Sequence, residues 1–153
     1  MDYDIASAIP HRPPFLLLDE ILELNADGIT AAYTPHPDDD LWSRIYAGHY
    51  PGNAITPGVL LCEMLFQAAA VYLHERNRDN PLPGVPVVTR IQNVKFRNIV
   101  PPGSRLEISA SLTESLANAF FLKGAIRHAG KTVLQAEFAV ALAEPPKDAN
   151  RLP

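Results

Sequence analysis

The stretch GHYPGNAITPGVLLCEMLFQ, residues 48–67, decides the fold of this chain. A turn rich in proline and glycine leads to Thr56-Pro57-Gly58, where the threonine hydroxyl can cap a helix and the proline suits its first position. From Val59 to Leu73 the residues are apolar on nearly every side, which predicts a buried helix. Other parts of the chain must therefore wrap around this helix.

Glu63 and Gln67 interrupt the apolar helix at positions i and i+4, so they share one face. Burying a lone carboxylate costs free energy unless the group has a partner or keeps its proton. Glu63 is therefore either a buried structural hydrogen-bonding group or a catalytic carboxyl, and the residues alone leave both open. Cys62 is interpreted as a small core residue rather than a nucleophile.

Length and composition predict one domain with a sizeable core, since the chain has 153 residues, 47% hydrophobic and 20% charged. The net charge of −4, with no basic stretch, argues against nucleic acid as a partner. The single cysteine fits a reducing compartment. The acidic start lacks the pattern of a signal peptide, and the longest apolar run is shorter than the about 20 residues of a bilayer span. We therefore expect a cytoplasmic protein without a membrane span.

The rest of the chain predicts a short helical turn, a hairpin and then a series of long strands. The predicted ranges are a helical turn at 4–8, hairpin strands at 15–24 (continuing past a bulge if needed) and 29–34, and long strands at 85–98, 106–112, 118–128 and 132–143. This order predicts an α+β fold in which an antiparallel sheet curls around the long helix. We expect a single domain at residues 1–144 and a flexible, proline-rich tail at residues 145–153.

His49 lies in the turn ahead of the helix, where a histidine is by default solvated or hydrogen-bonded locally. The helix start that follows offers backbone amides that suit a developing negative charge, and this raises the case for catalysis. Gly58 can supply such an amide, or it can be required only for tight packing. The remaining scattered histidines lack metal-ligand spacing, and the sequence shows no phosphate-loop or serine-nucleophile motif, so we expect neither a metal nor a cofactor.

Three separated motifs run in order over nearly the whole chain. They are Ile9-Pro10-His11-Arg12 with Pro14-Phe15-Leu16-Leu17-Leu18-Asp19; His49-Tyr50-Pro51-Gly52 with Pro57-Gly58-Val59-Leu60 and Glu63; and Val94-Lys95-Phe96-Arg97 with Pro102-Gly103. Together they resemble the FabZ-type 3-hydroxyacyl-[acyl-carrier-protein] dehydratases, a family with the hot-dog fold. In that family a glutamate follows the histidine by fourteen residues, as Glu63 follows His49.

The resemblance implies a lyase that converts a 3-hydroxyacyl thioester on acyl carrier protein to the trans-2-enoyl thioester, in fatty-acid or related lipid or secondary-metabolite synthesis. His49 would remove the proton at C2, Glu63 would protonate the departing hydroxyl, and the Gly58 amide would hold the thioester oxygen. The resemblance also implies a homodimer in which Glu63 of one subunit faces His49 of the other, with a trimer of dimers as a further level of assembly.

The same resemblance assigns substrate contacts to four further residues, Tyr50, Pro57, Val59 and Gln67. Gln67 can orient Glu63, or it can be a plain buried amide. Tyr50 and Ala54 replace a phenylalanine and a proline that are usual in the family, and we expect both to alter the pocket wall. His11 is expected to be structural, hydrogen-bonded to the loop near the site.

The segment at 35–47 departs from the family, whose shorter connection carries an Asn-Glu-Pro-Phe-Phe-like text. Its acidic triplet, Asp38-Asp39-Asp40, predicts a short helix that begins at Leu41. Two alternatives to the dehydratase stay open. One is a hot-dog acyl thioesterase, which the histidine fourteen residues before Glu63 disfavours. The other is a non-catalytic acyl-binding subunit, in which the segment at 35–47 blocks the tunnel.

Lys95 and Arg97 alternate with Phe96 along one predicted strand, so the two cations share a face. Acyl carrier proteins are acidic, and a chain of net charge −4 needs a local basic patch to attract one. An ordinary solvated strand face is the alternative. On the strength of the resemblance, we predict that the carrier docks at Lys95 and Arg97.

Overall fold

The long helix and the sheet around it are present in the structure, a computed structural model that describes residues 2–144. In chain order the elements are α1 (Ile5–Ala8), β1 (Glu20–Leu24), β2 (Gly28–Tyr33), α2 (Asp40–Gly48), α3 (Gly58–Arg76), β3 (Val85–Phe96), β4 (Leu106–Leu116), β5 (Ala119–His128) and β6 (Lys131–Ala143). The tail predicted to be flexible, residues 145–153, lies outside the described residues.

The strands of residues 2–144 form one six-stranded sheet in the order β1-β2-β4-β5-β6-β3, and every neighbouring pair is antiparallel. The predicted hairpin between β5 and β6 is confirmed. Its turn residues Ala129 and Gly130 have φ of 47° and 76°. Two successive positive φ angles are the backbone of the tight turn that matches the twist of paired strands. This topology places β3 at one edge of the sheet, beside the last strand of the described chain.

Helix α3 supplies the centre of the core and packs against β2, β4 and β5. Its buried residues lie on every side of the helix, as predicted: Leu61, Cys62, Met64, Leu65, Gln67, Ala68, Ala69, Val71, Tyr72 and Leu73. Gly124 on β5 permits the close approach of sheet and helix, because a Cβ there would lie 2.4 Å from Cδ1 of Leu65. The predicted antiparallel sheet wrapped around a long central helix is confirmed.

The start of α3 differs from the prediction in one respect. Pro57, rather than Thr56, occupies the N-cap position, and no side chain caps the helix. The Thr56 hydroxyl instead shares a hydrogen bond of 2.7 Å with the hydroxyl of Tyr46, so it is not available to the helix amides. The expectation of a threonine cap was wrong.

The first predicted strand is also shorter than expected. Only Glu20–Leu24 is a strand, with a bulge between Ile21 and Glu23. In the lead-in, the N–H of Leu17 donates to Gln67 Oε1 at 2.8 Å, and the carbonyl of Phe15 accepts from Gln67 Nε2 at 2.9 Å. Because a helix side chain satisfies these backbone groups, this part of the chain docks on α3 instead of joining the sheet.

The predicted short helix in the divergent segment is confirmed as α2, with Asp39 at its N-cap position. Trp42 and Tyr46 on α2 are 1% and 7% exposed, and their rings stack with centroids 5.4 Å apart. The indole of Trp42 donates to the hydroxyl of Tyr33 on β2 at 2.7 Å. The inner face of the segment is therefore built into the core.

Within residues 2–144, no helix is both long enough and apolar enough to cross a bilayer.

Candidate active site

His49 is the first residue after α2, and two hydrogen bonds fix it there. Its N–H donates to the carbonyl of Ile45 at 2.7 Å, and its ring Nδ1 lies 2.8 Å from the carbonyl oxygen of Ile55. A carbonyl oxygen only accepts, so Nδ1 carries the proton. In the neutral ring Nε2 then bears the free lone pair, which is the arrangement that a general base needs.

Tyr50 restricts the ring of His49 from one side. It has a φ of 62°, which is unusual for a residue with a bulky side chain. Its ring meets that of His49 edge-on, with centroids 4.7 Å apart. Backbone strain of this kind persists where the surrounding structure enforces it, often at functional sites. The tyrosine is 59% exposed, so its other surface is free to contact a ligand or a second protein chain.

The N-terminus of α3, at Gly58, lies nine residues beyond His49 in sequence. The amides of Leu60 and Leu61 donate to the carbonyl of Pro57 at 3.1 and 3.2 Å, so the amides of Gly58 and Val59 precede the first bonded turn. Amides at this position carry the positive end of the helix dipole and can hold a developing oxyanion. A Cβ at Gly58 would lie 2.6 Å from Cε1 of Phe96, so the phenylalanine ring covers this end of the helix closely.

Glu63 lies on α3 and is held by neighbours on one of its two oxygens. Gln67 Nε2 donates to Glu63 Oε1 at 2.8 Å, and His11 Nε2 lies 3.4 Å from the same oxygen. The Glu63 side chain is 23% exposed, whereas Gln67 is 1% exposed. Gln67 therefore orients the carboxyl from within the core, and the carboxyl itself reaches the surface.

Helix α2 braces the turn that carries His49. Tyr46 is hydrogen-bonded to Thr56, and the N–H of Thr56 donates to the carbonyl of Val100 at 2.8 Å. Burial raises the pKa of the Tyr46 phenol, while its hydrogen bond with Thr56 opposes that rise. The phenol thus stays protonated at neutral pH and keeps its hydroxyl bond. Ile55, whose carbonyl holds His49, is the residue next to Thr56.

The structure brings the predicted residues together in two groups. His49 and Tyr50 form one, on the turn that leads to Gly58, and Glu63, Gln67 and His11 form the other. No hydrogen bond or ion pair within residues 2–144 joins His49 to Glu63. Cys62 is buried next to Glu63, and burial raises the pKa of its thiol.

Lys95 and Arg97 lie on the other face of the strand from Phe96, as their alternation predicted. Lys95 is opposite Gln135 in the register of β3 and β6, and Arg97 Nε donates to Gln135 Oε1 at 2.8 Å. Phe96 points to the start of α3. Of the expected substrate contacts, Val59 is 75% exposed beside Gly58.

Sequence reasoning missed three parts of the site: the closeness of His11 to Glu63, the packing of Phe96 on Gly58, and the bond from Tyr46 to Thr56. The expectation that His11 bonds to a nearby loop was wrong, because its Nε2 faces Glu63 on α3. Of these three, only the position of Phe96 had a signal in the sequence. Side chains alternate along a strand, so Phe96 must lie on the face opposite Lys95 and Arg97.

Comparison with known proteins assigns the chain to a family. Residues 9–137 match the model of the FabA-like domain family. The chain belongs to the FabA-like family. Among curated relatives, the 3-hydroxyacyl-[acyl-carrier-protein] dehydratase FabZ of Campylobacter jejuni is 37% identical over 135 residues, which are 87% of this chain and 90% of that protein. The FabZ of Petrotoga mobilis is 33% identical over 139 residues, 91% of this chain and 95% of the relative. The resemblance to FabZ-type proteins drawn from the motifs is therefore confirmed.

Solved structures of other proteins have the same fold as this chain. The dehydratase heterocomplex ApeI:P of Xenorhabdus doucetiae superposes with a TM-score of 0.78 at 18% identity, covering 96% of this chain and 94% of the compared chain. The PaaI protein of the E. coli phenylacetic acid degradation operon gives a TM-score of 0.62 at 14% identity, covering 80% and 81%. These likenesses confirm the predicted α+β hot-dog fold.

Proposed function

We propose that this FabA-like chain is a hydro-lyase that dehydrates 3-hydroxyacyl thioesters carried on acyl carrier protein, in fatty-acid or related synthesis. The observation that carries the proposal is the bond from His49 Nδ1 to the carbonyl of Ile55, because it leaves Nε2 free to act as a base on the turn that leads to α3. The FabZ relatives, which are 33–37% identical over most of the chain, support the same reaction.

The reaction follows from three groups. His49 Nε2 takes the proton from C2 of the substrate, which the thioester acidifies, and the Gly58 amide stabilises the charge on the thioester oxygen. The electron pair from C2 forms the double bond to C3 as the C3–O bond breaks. Glu63 donates a proton to the departing hydroxyl, so that it leaves as water. In this proposal Tyr50, Pro57 and Val59 contact the acyl thioester.

Within residues 2–144 no hydrogen bond or ion pair joins His49 to Glu63, and this supports a site shared by two subunits. Strand β3 has an unpaired edge in the described chain and exposes apolar side chains along its length: Val85, Val87, Val88, Ile91 and Phe96. An exposed edge with apolar residues is a site for pairing with another strand. We infer a homodimer that covers β3 and places Glu63 of one subunit near His49 of the other. The molecular mass of the protein in solution tests this inference: twice the mass of one chain indicates the dimer, and six times that mass indicates a trimer of dimers.

Product analysis tests the activity directly. The enzyme is given a 3-hydroxyacyl carrier protein and a small 3-hydroxyacyl thioester, and two signals are followed: the absorbance of a conjugated enoyl thioester, and the release of free thiol. We expect enoyl thioester without thiol release. Release of free acid and thiol would show a thioesterase, and absence of both products would show a binding subunit.

His49→Ala and a matched histidine variant connect the activity to the site. His49→Ala is expected to lower kcat by about 10²–10⁴-fold, the usual worth of a general base. His128→Ala is the control, because His128 Nδ1 also contacts a backbone carbonyl, that of Arg105 at 3.1 Å, away from the site. Equal activity in the His49→Ala enzyme and the wild type would contradict the proposal.

A further inference from the structure

His11 and Gln67 approach the same oxygen of Glu63, and this has a consequence for where the acid proton resides. Gln67 cannot turn its amide over. Its Oε1 accepts from the N–H of Leu17 at 2.8 Å, and its Nε2 donates both to the carbonyl of Phe15 at 2.9 Å and to Glu63 Oε1 at 2.8 Å. Reversal would set the amide N–H against the N–H of Leu17, and the amide oxygen against the carbonyl of Phe15 and the carboxyl of Glu63. Gln67 is therefore a donor to Glu63.

The tautomer of His11 follows from its buried nitrogen. Nδ1 is buried, and the described residues offer it no hydrogen-bond partner. A proton on Nδ1 would leave a buried N–H without an acceptor, which is rare in folded proteins. It would also, in the neutral ring, turn the lone pair of Nε2 towards Glu63 Oε1, 3.4 Å away. His11 is therefore the neutral ring with its proton on Nε2, where it can donate to Glu63.

Glu63 Oε1 thus faces two N–H groups, that of Gln67 and that of His11. Oε1 accepts a hydrogen bond from Gln67 at 2.8 Å and lies 3.4 Å from the protonated nitrogen of His11, so a proton of its own on Oε1 would be set against both N–H groups. The acid proton of the carboxyl is therefore assigned to Oε2. Within residues 2–144 no protein hydrogen bond or ion pair is made by Oε2, and the Glu63 side chain is 23% exposed. Oε2 is therefore the oxygen that is free to meet the hydroxyl of a substrate.

We propose that His11 is a positioning residue for Glu63: as a neutral imidazole that donates from Nε2, it works with Gln67 to hold the acid proton on Oε2, towards the substrate. The proposal rests on the proposed function, in which Glu63 is the general acid, and adds to it the role of the segment that precedes β1. That segment is tied to α3 through Gln67, and its His11 and Phe15 rings stack with centroids 6.4 Å apart.

Two substitutions separate donation from packing. His11→Phe keeps an aromatic ring against Phe15 but removes the donor, whereas His11→Gln keeps an amide donor that can reach Glu63. We expect His11→Phe to lower kcat about tenfold with little change in KM, the effect of losing one hydrogen bond to an ionisable group. We expect His11→Gln to restore kcat to within about threefold of the wild type.

The same substitution is then made in a Glu63→Gln background. If His11 acts through Glu63, His11→Phe causes no further loss of kcat there. An equal loss in both backgrounds, or a wild-type kcat for His11→Phe, would overturn the proposal. Neither result would contradict the proposed function. The proposed function fails if the wild-type enzyme forms no enoyl thioester. In that case Glu63 is not a general acid, and the role proposed for His11 fails with it.

Nitrogen NMR of wild-type protein with isotope-labelled histidine gives a test that needs no active or well-folded variant. We expect His11 to show a protonated Nε2 and a bare Nδ1 at neutral pH, and His49 to show the opposite tautomer. The comparison is internal to one sample, because Nδ1 of His49 has a carbonyl partner and Nδ1 of His11 has none in the described chain. A proton on Nδ1 of His11 would overturn the assignment.

Discussion

The hydroxyl groups of Tyr46 and Thr56 lie 2.7 Å apart in the interior, where α2 meets the turn that leads to α3. Both residues are buried, at 7% and 5% exposed, so each hydroxyl depends on the other for a partner. This bond connects the divergent helix α2 to the residue beside Ile55, which holds His49. Helix α2 therefore braces the turn that carries His49.

Breaking this bond from one side should therefore destabilise the protein. Tyr46→Phe leaves the Thr56 hydroxyl buried without its partner, and we expect the free energy of unfolding to fall by about 1–3 kcal/mol. Adding Thr56→Val should cost less than the sum of the two single changes, because neither hydroxyl then remains. Urea denaturation of the single and double variants measures this. Tyr50→Phe, at a tyrosine that is 59% exposed, is the control and should change stability by less than about 0.5 kcal/mol. Additive losses would contradict the coupling.

Gly58 and Gly48 form a matched pair of glycines at helix ends. A Cβ at Gly58 would meet Phe96 at 2.6 Å, whereas a Cβ at Gly48 meets nothing within 4 Å. We expect Gly58→Ala to displace the Phe96 ring from the helix start and to lower kcat/KM about tenfold, since small shifts of reacting groups are costly. Gly48→Ala should retain nearly full activity. Steady-state kinetics on a small thioester measures both.

A second variant tests the stated cause. In a Phe96→Ala background the added methyl group at residue 58 has space, so Gly58→Ala should cause little further loss. A full additional loss would show that the alanine acts through the backbone and not through Phe96.

Docking of an acidic carrier protein at Lys95 and Arg97 should depend on salt. Exposed ion pairs are each worth less than about 1 kcal/mol, but together they steer association and are screened by added ions. We expect KM for the carrier-bound substrate to rise with salt, and KM for an N-acetylcysteamine thioester to stay constant. The charge reversals Lys95→Glu and Arg97→Glu should weaken only the carrier-bound reaction.

The matched control for charge reversal is Arg105→Glu. Arg105 pairs with Glu20 on β1, at the opposite edge of the sheet from β3. The Arg105→Glu variant should dehydrate both the carrier-bound substrate and the small thioester at close to the wild-type rate. If reversal at Lys95 and Arg97 slows both substrates equally, those residues support the fold and the docking prediction is wrong.

The raised pKa of Cys62 predicts a stability that depends on pH. Burial disfavours the thiolate in the folded protein, so the folded pKa lies above the unfolded value of about 8.5. The stabilising contribution is complete below the unfolded pKa and is lost as the pH rises through the folded one. The free energy of unfolding of the wild type and of Cys62→Ala is measured as the pH rises through these two pKa values. Tyrosines that ionise at similar pH are present in both proteins, so their contribution cancels in the difference. The wild type should lose stability relative to the variant as the pH rises. A difference that does not change with pH would contradict the prediction.

Much of the fold could be predicted because its signals are local and periodic. The apolar run from Val59 onwards predicted a buried helix, and the turn at 129–131 predicted the hairpin of β5 and β6. The strand predicted at 15–24 was too long, because the backbone of Phe15 and Leu17 bonds to Gln67, fifty or more residues away in sequence. No pattern within the segment itself reports such a partner.

The site divides in the same way. The shared face of Glu63 and Gln67 follows from helical spacing, and their hydrogen bond is present at 2.8 Å. The partner of Thr56 is a tyrosine ten residues earlier, on a helix whose direction the sequence does not define. A threonine before Pro-Gly has the pattern of a helix cap, so the local rule selected the wrong partner. The approach of His11 to Glu63 was missed for a similar reason, since it depends on how the chain folds back on α3.

The position of β3 beside β6 has a consequence for how this protein is made. A ribosome completes β3 well before β6, and these strands are neighbours in the sheet although β4 and β5 separate them in sequence. During synthesis the backbone N–H and C=O groups of β3 that pair with β6 therefore lack their partners until β6 emerges, while β1, β2 and β4 can already pair. Closure of the sheet is a late, long-range event, the kind that slows folding and exposes a chain to aggregation. Strand β6 thus completes the six-stranded sheet of residues 2–144 and pairs the edge of β3 that faces it.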